Sequence, residues 1–182
     1  MTSLTDNGTI YIRQSGSYIQ YDFNNTGWNT ISSWPVTISK LSTSVTVNFI
    51  TDITLSGGSD QYFICGTADI TFGLATGQSK NITISGITNY PGLVQNGTSG
   101  ANGKNNITVQ NLNVLSTGSS TLAQYGGWLG QAYYSKGASN NLIRGCMSNG
   151  IISLSSGGIC GQYSGGNNLN RSEEHTSELQ SR

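Results

Sequence analysis

The 182-residue chain holds 25 glycines against only 2 prolines, and its eight basic groups balance eight acidic ones. Charges so few and so evenly matched exclude a basic surface able to neutralise a phosphate backbone, so nucleic acid is not an expected partner. No apolar run approaches the roughly 20 residues needed to span a bilayer as a helix, so no membrane span is expected.

Composition alone would permit disorder, but short runs of Ile, Val, Phe and Tyr recur between Gly, Asn and Ser clusters. That pattern predicts many short strands joined by turns. The opening stretch MTSLTDNGTIYIRQSG has neither the basic region nor the apolar segment of a secretory leader, so Met1 is read as an internal start or the chain reaches its destination by another route. Further on, Val36-Thr37-Ile38 and Val45-Thr46-Val47 each alternate apolar, polar, apolar. Four segments then share a fuller pattern: DITLSG from Asp52, DITFG from Asp69, NITISG from Asn81 and NITVQN from Asn106. In each, Ile and the next apolar residue share one face and Thr takes the other, which predicts a short half-buried strand. The unequal gaps between Asp52, Asp69, Asn81 and Asn106 make the period irregular. The threonines Thr37, Thr46, Thr54, Thr71, Thr83 and Thr108 are too unevenly spaced to predict the flat threonine ladder of an ice-binding surface, and β-propensity explains them.

The stretch GTSGANGKNN (Gly97 to Asn106) has Thr98 and Asn105 where a phosphate-binding loop needs Gly and Ser or Thr, so it reads as a loop between strands. A second repeat follows: GGWLGQ (Gly126 to Gln131) recurs as GGICGQ (Gly157 to Gln162), with Trp128/Ile159 and Leu129/Cys160 both apolar. Self-similarity over such a period indicates stacked units that bury their apolar faces on one another, and short strands with Gly and Asn turns predict a solenoid of parallel strands. N-G pairs at Asn7, Asn96, Asn102 and Asn149 keep an antiparallel sandwich or barrel open as the alternative.

The last twelve residues, RSEEHTSELQSR, differ in kind: they hold the only His (His175) and all three Glu (Glu173, Glu174, Glu178). The segment resembles the in-frame translation of a common short-read sequencing adapter, so residues 171–182 are expected to be a non-native tail on a chain truncated near Asn170. A charged C-terminal cap is the other reading.

TIYIRQSGSYIQYDF (Thr9 to Phe23), followed by the N-I-T-φ-x-G segments, resembles the opening of a right-handed parallel β-helix of the pectate-lyase-like superfamily, where such a strand pair begins the first coils. The GGWLGQ and GGICGQ pair resembles the glycine-rich GLUG-type repeats of bacterial surface proteins, and the Asn/Ser/Gly-rich β-helical repeats encoded by giant DNA viruses. The resemblance implies a scaffold with an N-terminal cap and irregular coils over 1–125 and glycine-rich coils over 126–170. It implies an extracellular or particle-surface location.

With the tail set aside, no His remains for a Ser-His-Asp or Cys-His arrangement or a histidine metal site. Five Asp remain, and only Asp52, Asp60 and Asp69 cluster in sequence. A glycosidase pair would need two carboxylates about 5 to 10 Å apart; the plainer reading makes Asp52 and Asp69 turn residues whose carboxylates bond to nearby backbone N–H groups, and Asp60 lies in GGSDQY, again a turn composition. A lyase-like site would need a base among acidic ligands, and no basic residue falls between Lys40 and Lys80. Cys65, Cys146 and Cys160 cannot all pair and are read as buried thiols. The N-x-T motifs at Asn7, Asn24, Asn81, Asn96 and Asn106 would accept glycans only in a secretory compartment. Trp28, Trp34, Tyr133 and Tyr134 could stack on sugar rings or fill the core.

The sequence therefore predicts an all-β, right-handed parallel β-helix acting as a non-enzymatic surface or adhesion-type repeat module that presents a polar face to a glycan or protein. No catalytic, cofactor-binding or metal-ligating residue is assigned, and no cofactor is expected. The alternative is a fragment of a carbohydrate-active β-helix enzyme, a polysaccharide hydrolase or lyase.

Overall fold

Each short apolar run forms the half-buried strand its alternation predicts; Val45–Phe49, for example, buries Val45, Val47 and Phe49 and leaves Thr46 and Asn48 partly open. In the computed structural model, which describes residues 1–153, 155–167 and 170–172, these strands stack into a parallel β-solenoid with no helix among the described residues.

The first coil supplies β1 (Thr2–Asp6) and β2 (Thr9–Ser15), after which β3 (Tyr18–Asp22) and β4 (Asn29–Thr30) turn back as antiparallel neighbours. The second coil is β5 (Val36–Lys40), β6 (Val45–Phe49) and β7 (Ile53–Leu55), and the third is β8 (Phe63–Cys65), β9 (Ile70–Phe72) and β10 (Lys80–Ser85). The fourth is β11 (Val94–Gln95), β12 (Ile107–Gln110) and β13 (Leu112–Thr117). A fifth enters at Gly130 and supplies β14 (Leu142–Arg144) and β15 (Met147–Ser148), and a sixth passes Cys160 to reach β16 (Asn170–Ser172).

Three sheets result. The first runs β1-β5-β8-β11 and continues through single bridges at Gly130 and Cys160; the second runs β4-β3-β2-β6-β9-β12-β14-β16; the third runs β7-β10-β13-β15. Among the strand ladders of the described residues only β2–β3 and β3–β4 are antiparallel, which settles the fold against a sandwich or barrel. That pair lies along the outer edge of β2 and covers backbone groups that an open coil would leave unpaired. Of the C-terminal segment, Arg171 and Ser172 pair within β16 against Ile143 and Arg144, while Glu173, Glu174, His175 and Glu178 lie outside the described residues.

Register explains the irregular sequence period. The Asp52 and Asn81 motifs lie on the third sheet, one coil apart, with Ile53 opposite Ile82. The Asp69 and Asn106 motifs lie on the second, with Ile70 opposite Ile107. Two interleaved series thus pass for one in the sequence. Loops absorb the variation in coil length, so the path from Ile70 to Ile107 is much longer than the path from Val45 to Ile70 although both close one coil. The uneven threonine offsets have the same origin: Thr9, Thr46, Thr71 and Thr108 stand directly one above another on the second sheet. Contrary to the expectation from spacing, a fourfold threonine column exists, although its next member is Leu142.

Inside, like stacks on like. Ile10, Val47, Phe72, Val109 and Ile143 form one buried column of the second sheet, and Ile53, Ile82 and Val114 another of the third. Burial of each such side chain contributes about 1.5–3 kcal/mol. A continuous core runs from Leu4 to Cys160 and includes all three cysteines, none of them in a disulfide. Burial pushes the Cys65 thiol well above its ordinary range, which leaves it an inert apolar filler.

Phe63 is the hub of the lower core, with ring centroids 5.5 Å from Trp34, 5.7 Å from Phe49 and 5.9 Å from Phe72. Phe63→Ala is expected to lower unfolding free energy by about 3–5 kcal/mol in denaturant titration. Higher up, the Tyr134 hydroxyl is buried without a hydrogen-bond partner among the described residues. Because an unsatisfied buried hydroxyl costs about 1–3 kcal/mol, Tyr134→Phe is expected to match or exceed wild-type stability in the same titration.

Candidate functional site

The three aspartates that could have formed an acid–base pair occupy three different corners of the solenoid. Asp52 precedes the third sheet, Asp69 precedes the second, and Asp60 lies in the turn before the first, where its carbonyl accepts the Tyr62 N–H at 2.9 Å. Turn chemistry describes Asp60 well. Asp52 and Asp69 differ from expectation, because their partners lie on neighbouring coils rather than in the local turn. Asp52 accepts the backbone N–H of Asn81 at 2.9 Å and its side-chain amide at 3.0 Å, and Asn81 in turn accepts the amide of Asn113 at 3.0 Å. Asp69 accepts the amide of Asn106 at 2.6 Å and pairs with the ammonium of Lys40. An Asn amide both donates and accepts, so it can continue such a ladder; an ionised Asp only accepts, so it ends one.

Hydrogen bonding from Lys40, then from Asn106, holds the Asp69 carboxyl below its ordinary value, with the Lys40 charge adding to the effect against a partial desolvation. A general acid needs the opposite shift. Sequence reasoning passes over Asp22. Burial raises its proton affinity, but backbone N–H groups of Gly27, Thr26, Asn24 and Phe23 outweigh that and keep it low. It anchors the loop between β3 and β4.

The N-x-T asparagines are largely engaged in the same chemistry. Asn81 and Asn106 donate their amides to Asp52 and Asp69, and buried Asn96 donates to the Lys104 carbonyl at 3.1 Å while accepting the Lys104 N–H at 2.6 Å. That clamp closes the loop from Gly97, as expected for a connection between coils.

The predicted aromatics separate. Tyr134 is fully buried, Trp34 packs against Phe63, and the Arg13 guanidinium covers Trp28 at 3.9 Å from the ring centroid. Tyr133 alone joins an open cluster. Its ring stacks on Tyr163 at 5.0 Å with an interplanar angle of 16°, and Tyr125 meets Tyr163 edge-on at 5.7 Å. Tyr163 remains 55% exposed. Beside these rings lies a groove of about 250 Å³ whose lining includes Pro91, Gln95, Thr98, Gln124, Gln131 and Tyr133. Among the described residues, none that lines it is charged.

Register makes this cluster and hides it from sequence reading. The glycine repeat matches itself with Gly126 over Gly157, but the backbone pairs Gly127 with Gly157 and Gly130 with Cys160, one position short of the sequence match. In that register Tyr133 lies beneath Tyr163. All three tyrosines adopt left-handed backbone, with φ of 67° at Tyr125, 64° at Tyr133 and 62° at Tyr163. Asn and Asp, which account for most of the other left-handed non-glycine positions here, tolerate that region through local hydrogen bonding. Tyr has no such compensation, and each costs about 1–3 kcal/mol. One coil earlier the equivalent position is Gly97, at φ 116°, which follows Val94 as Tyr133 follows Gly130. Gly97 lines the groove, and a Cβ there would lie 2.6 Å from the Tyr133 carbonyl oxygen.

Comparison with protein-family models, with curated proteins and with solved structures finds no match to the chain.

Both Asp69 and Asp22 have lowered folded-state pKa values, so their stabilisation is fully present above the ordinary carboxylate pKa of about 4 and is lost as pH falls through the folded values. Thermal melting followed by circular dichroism should therefore be flat near neutrality and decline below about pH 4. Asp69→Asn is expected to make that acid decline shallower.

Proposed function

We propose that this chain is a non-enzymatic module of a surface or adhesion-type protein, whose solenoid presents a weakly charged, hydroxyl- and amide-rich face to a glycan or a protein. The observation that carries this reading is the fate of the carboxylates. Asp52 ends an axial amide ladder and Asp69, on another sheet, bonds Asn106 and Lys40, so their oxygens are held by fixed donors and no two of the sequence-clustered aspartates share a face. An enzyme of the pectate-lyase-like kind would need such groups converging on one groove. The outward threonine column Thr9, Thr46, Thr71 and Thr108 supplies the repeated hydroxyls that a presenting surface uses. The resemblance to GLUG-type and giant-virus repeats supports an extracellular or particle-surface setting.

The test is a binding screen of the purified chain on immobilised glycans and on extracellular proteins, run beside assays for reducing and unsaturated sugar ends. Saturable binding without release of new ends is expected. Turnover of a polysaccharide that falls in Asp52→Asn or Asp69→Asn would replace this reading with the carbohydrate-active enzyme.

A further inference from the structure

We propose that Tyr125, Tyr133 and Tyr163, together with the adjoining groove, form a binding subsite for a neutral glycan chain. The assignment rests on the reading of the chain as a presenting module and specifies the site and ligand class. Tyr163 offers more than half of its surface to solvent while Tyr133 and Tyr125 fix its orientation. A pyranose ring presents C–H groups on its face and hydroxyls at its rim, so it can stack on a tyrosine while its edge bonds to amides.

Those amides are already ordered. Gln95 donates to the Gln131 side-chain oxygen at 3.0 Å, and Gln131 donates to the Gly92 carbonyl at 3.0 Å, so little side-chain freedom remains to be lost on binding. The groove volume of about 250 Å³ falls below the roughly 300 Å³ at which enclosed small-molecule sites begin, which suits a chain lying across the surface.

Charge selects the neutral class. The adjacent cation, Lys136, is not among the lining residues; its ammonium donates to the Ser99 carbonyl at 2.7 Å and lies 5.6 Å from the Tyr133 ring, on the exposed side of the site. A uronate carboxylate entering the groove would be desolvated with no counter-charge in the described lining. The left-handed backbone of all three tyrosines adds a second, independent observation: a packing role would be served without the strain.

Affinity electrophoresis of the full chain through soluble galactomannan, mixed-linkage β-glucan and dextran, with polygalacturonate as the acidic comparison, tests this. Retention by at least one neutral polysaccharide, insensitive to salt, is expected. Tyr163→Gly and Tyr133→Gly should weaken it at least about tenfold, a loss of roughly 1.4 kcal/mol, while melting temperature holds or rises because Gly relieves the left-handed strain. Tyr163→Phe should retain binding within about threefold. The assignment is overturned by retention on polygalacturonate alone, by no retention on any neutral polysaccharide, by undiminished retention in both Gly variants, or by Gly variants that lose melting temperature. Binding to other glycans or proteins that persists alongside any of these outcomes would leave the presenting-module reading intact.

Discussion

Axial hydrogen bonding between coils is the constraint from which the rest of the molecule follows. In a parallel solenoid a strand's N–H and C=O groups point along the stack, so each coil is satisfied only by the coils above and below it. Ile70 therefore has to sit over Val45 and under Ile107, whatever the length of the loops between them. Strand register is strict and loop length is free. Loop closure adds only about 0.6 kcal/mol per doubling of length, whereas a one-residue slip would turn every buried side chain outward.

Strict register turns single residues into columns, and a column amplifies whatever its members can do. Apolar members make the core. Asparagines make ladders in which each amide satisfies the next, and an aspartate closes the ladder at the end where only an acceptor is required, as Asp52 does below Asn81 and Asn113. The same stacking fixes a left-handed position over successive coils: Asp69, Asn106 and Asn140 have φ of 59°, 57° and 58°, and the N–H of each of these residues bonds to a carbonyl on the next coil. The Lys40–Asp69 ion pair is partly exposed, so its direct contribution falls within the roughly 0–1 kcal/mol usual for such pairs, and it also helps to keep Asp69 ionised.

Local alternation is legible in the sequence, and with it the all-β solenoid, because Ile-Thr-φ triplets specify faces without reference to neighbours. What stands above each residue is not legible. The four Asp/Asn-led motifs belong to two sheets, so their spacing conceals the threonine column and the amide ladders. Asp52 and Asp69 read as local turn residues because short-range hydrogen bonding is the usual habit of Asp. Their partners Asn81 and Asn106 lie a full coil away and emerge only with register in hand. Of the aromatics considered, Tyr133 stands out in the sequence without its companions. Tyr125 and Tyr163 flank the glycine repeats, and the repeat's match to itself places Ser164, not Tyr163, over Tyr133.

The column that holds the tyrosines also shows where a side chain is barred. Gly97, Tyr133 and Tyr163 occupy one column and all take positive φ, but Gly97 at 116° departs from the 64° and 62° of the tyrosines. A Cβ on Gly97 would lie 2.6 Å from the Tyr133 carbonyl oxygen, so only glycine fits at the fourth coil. Placing tyrosine on the next two coils adds strain and leaves an amphipathic ring 55% exposed at Tyr163, outside the core that begins at Tyr134. Folding gains little from such an exchange. The proposed glycan subsite gives a use to a residue that burdens the backbone, adds little to the core and lies beside an uncharged groove.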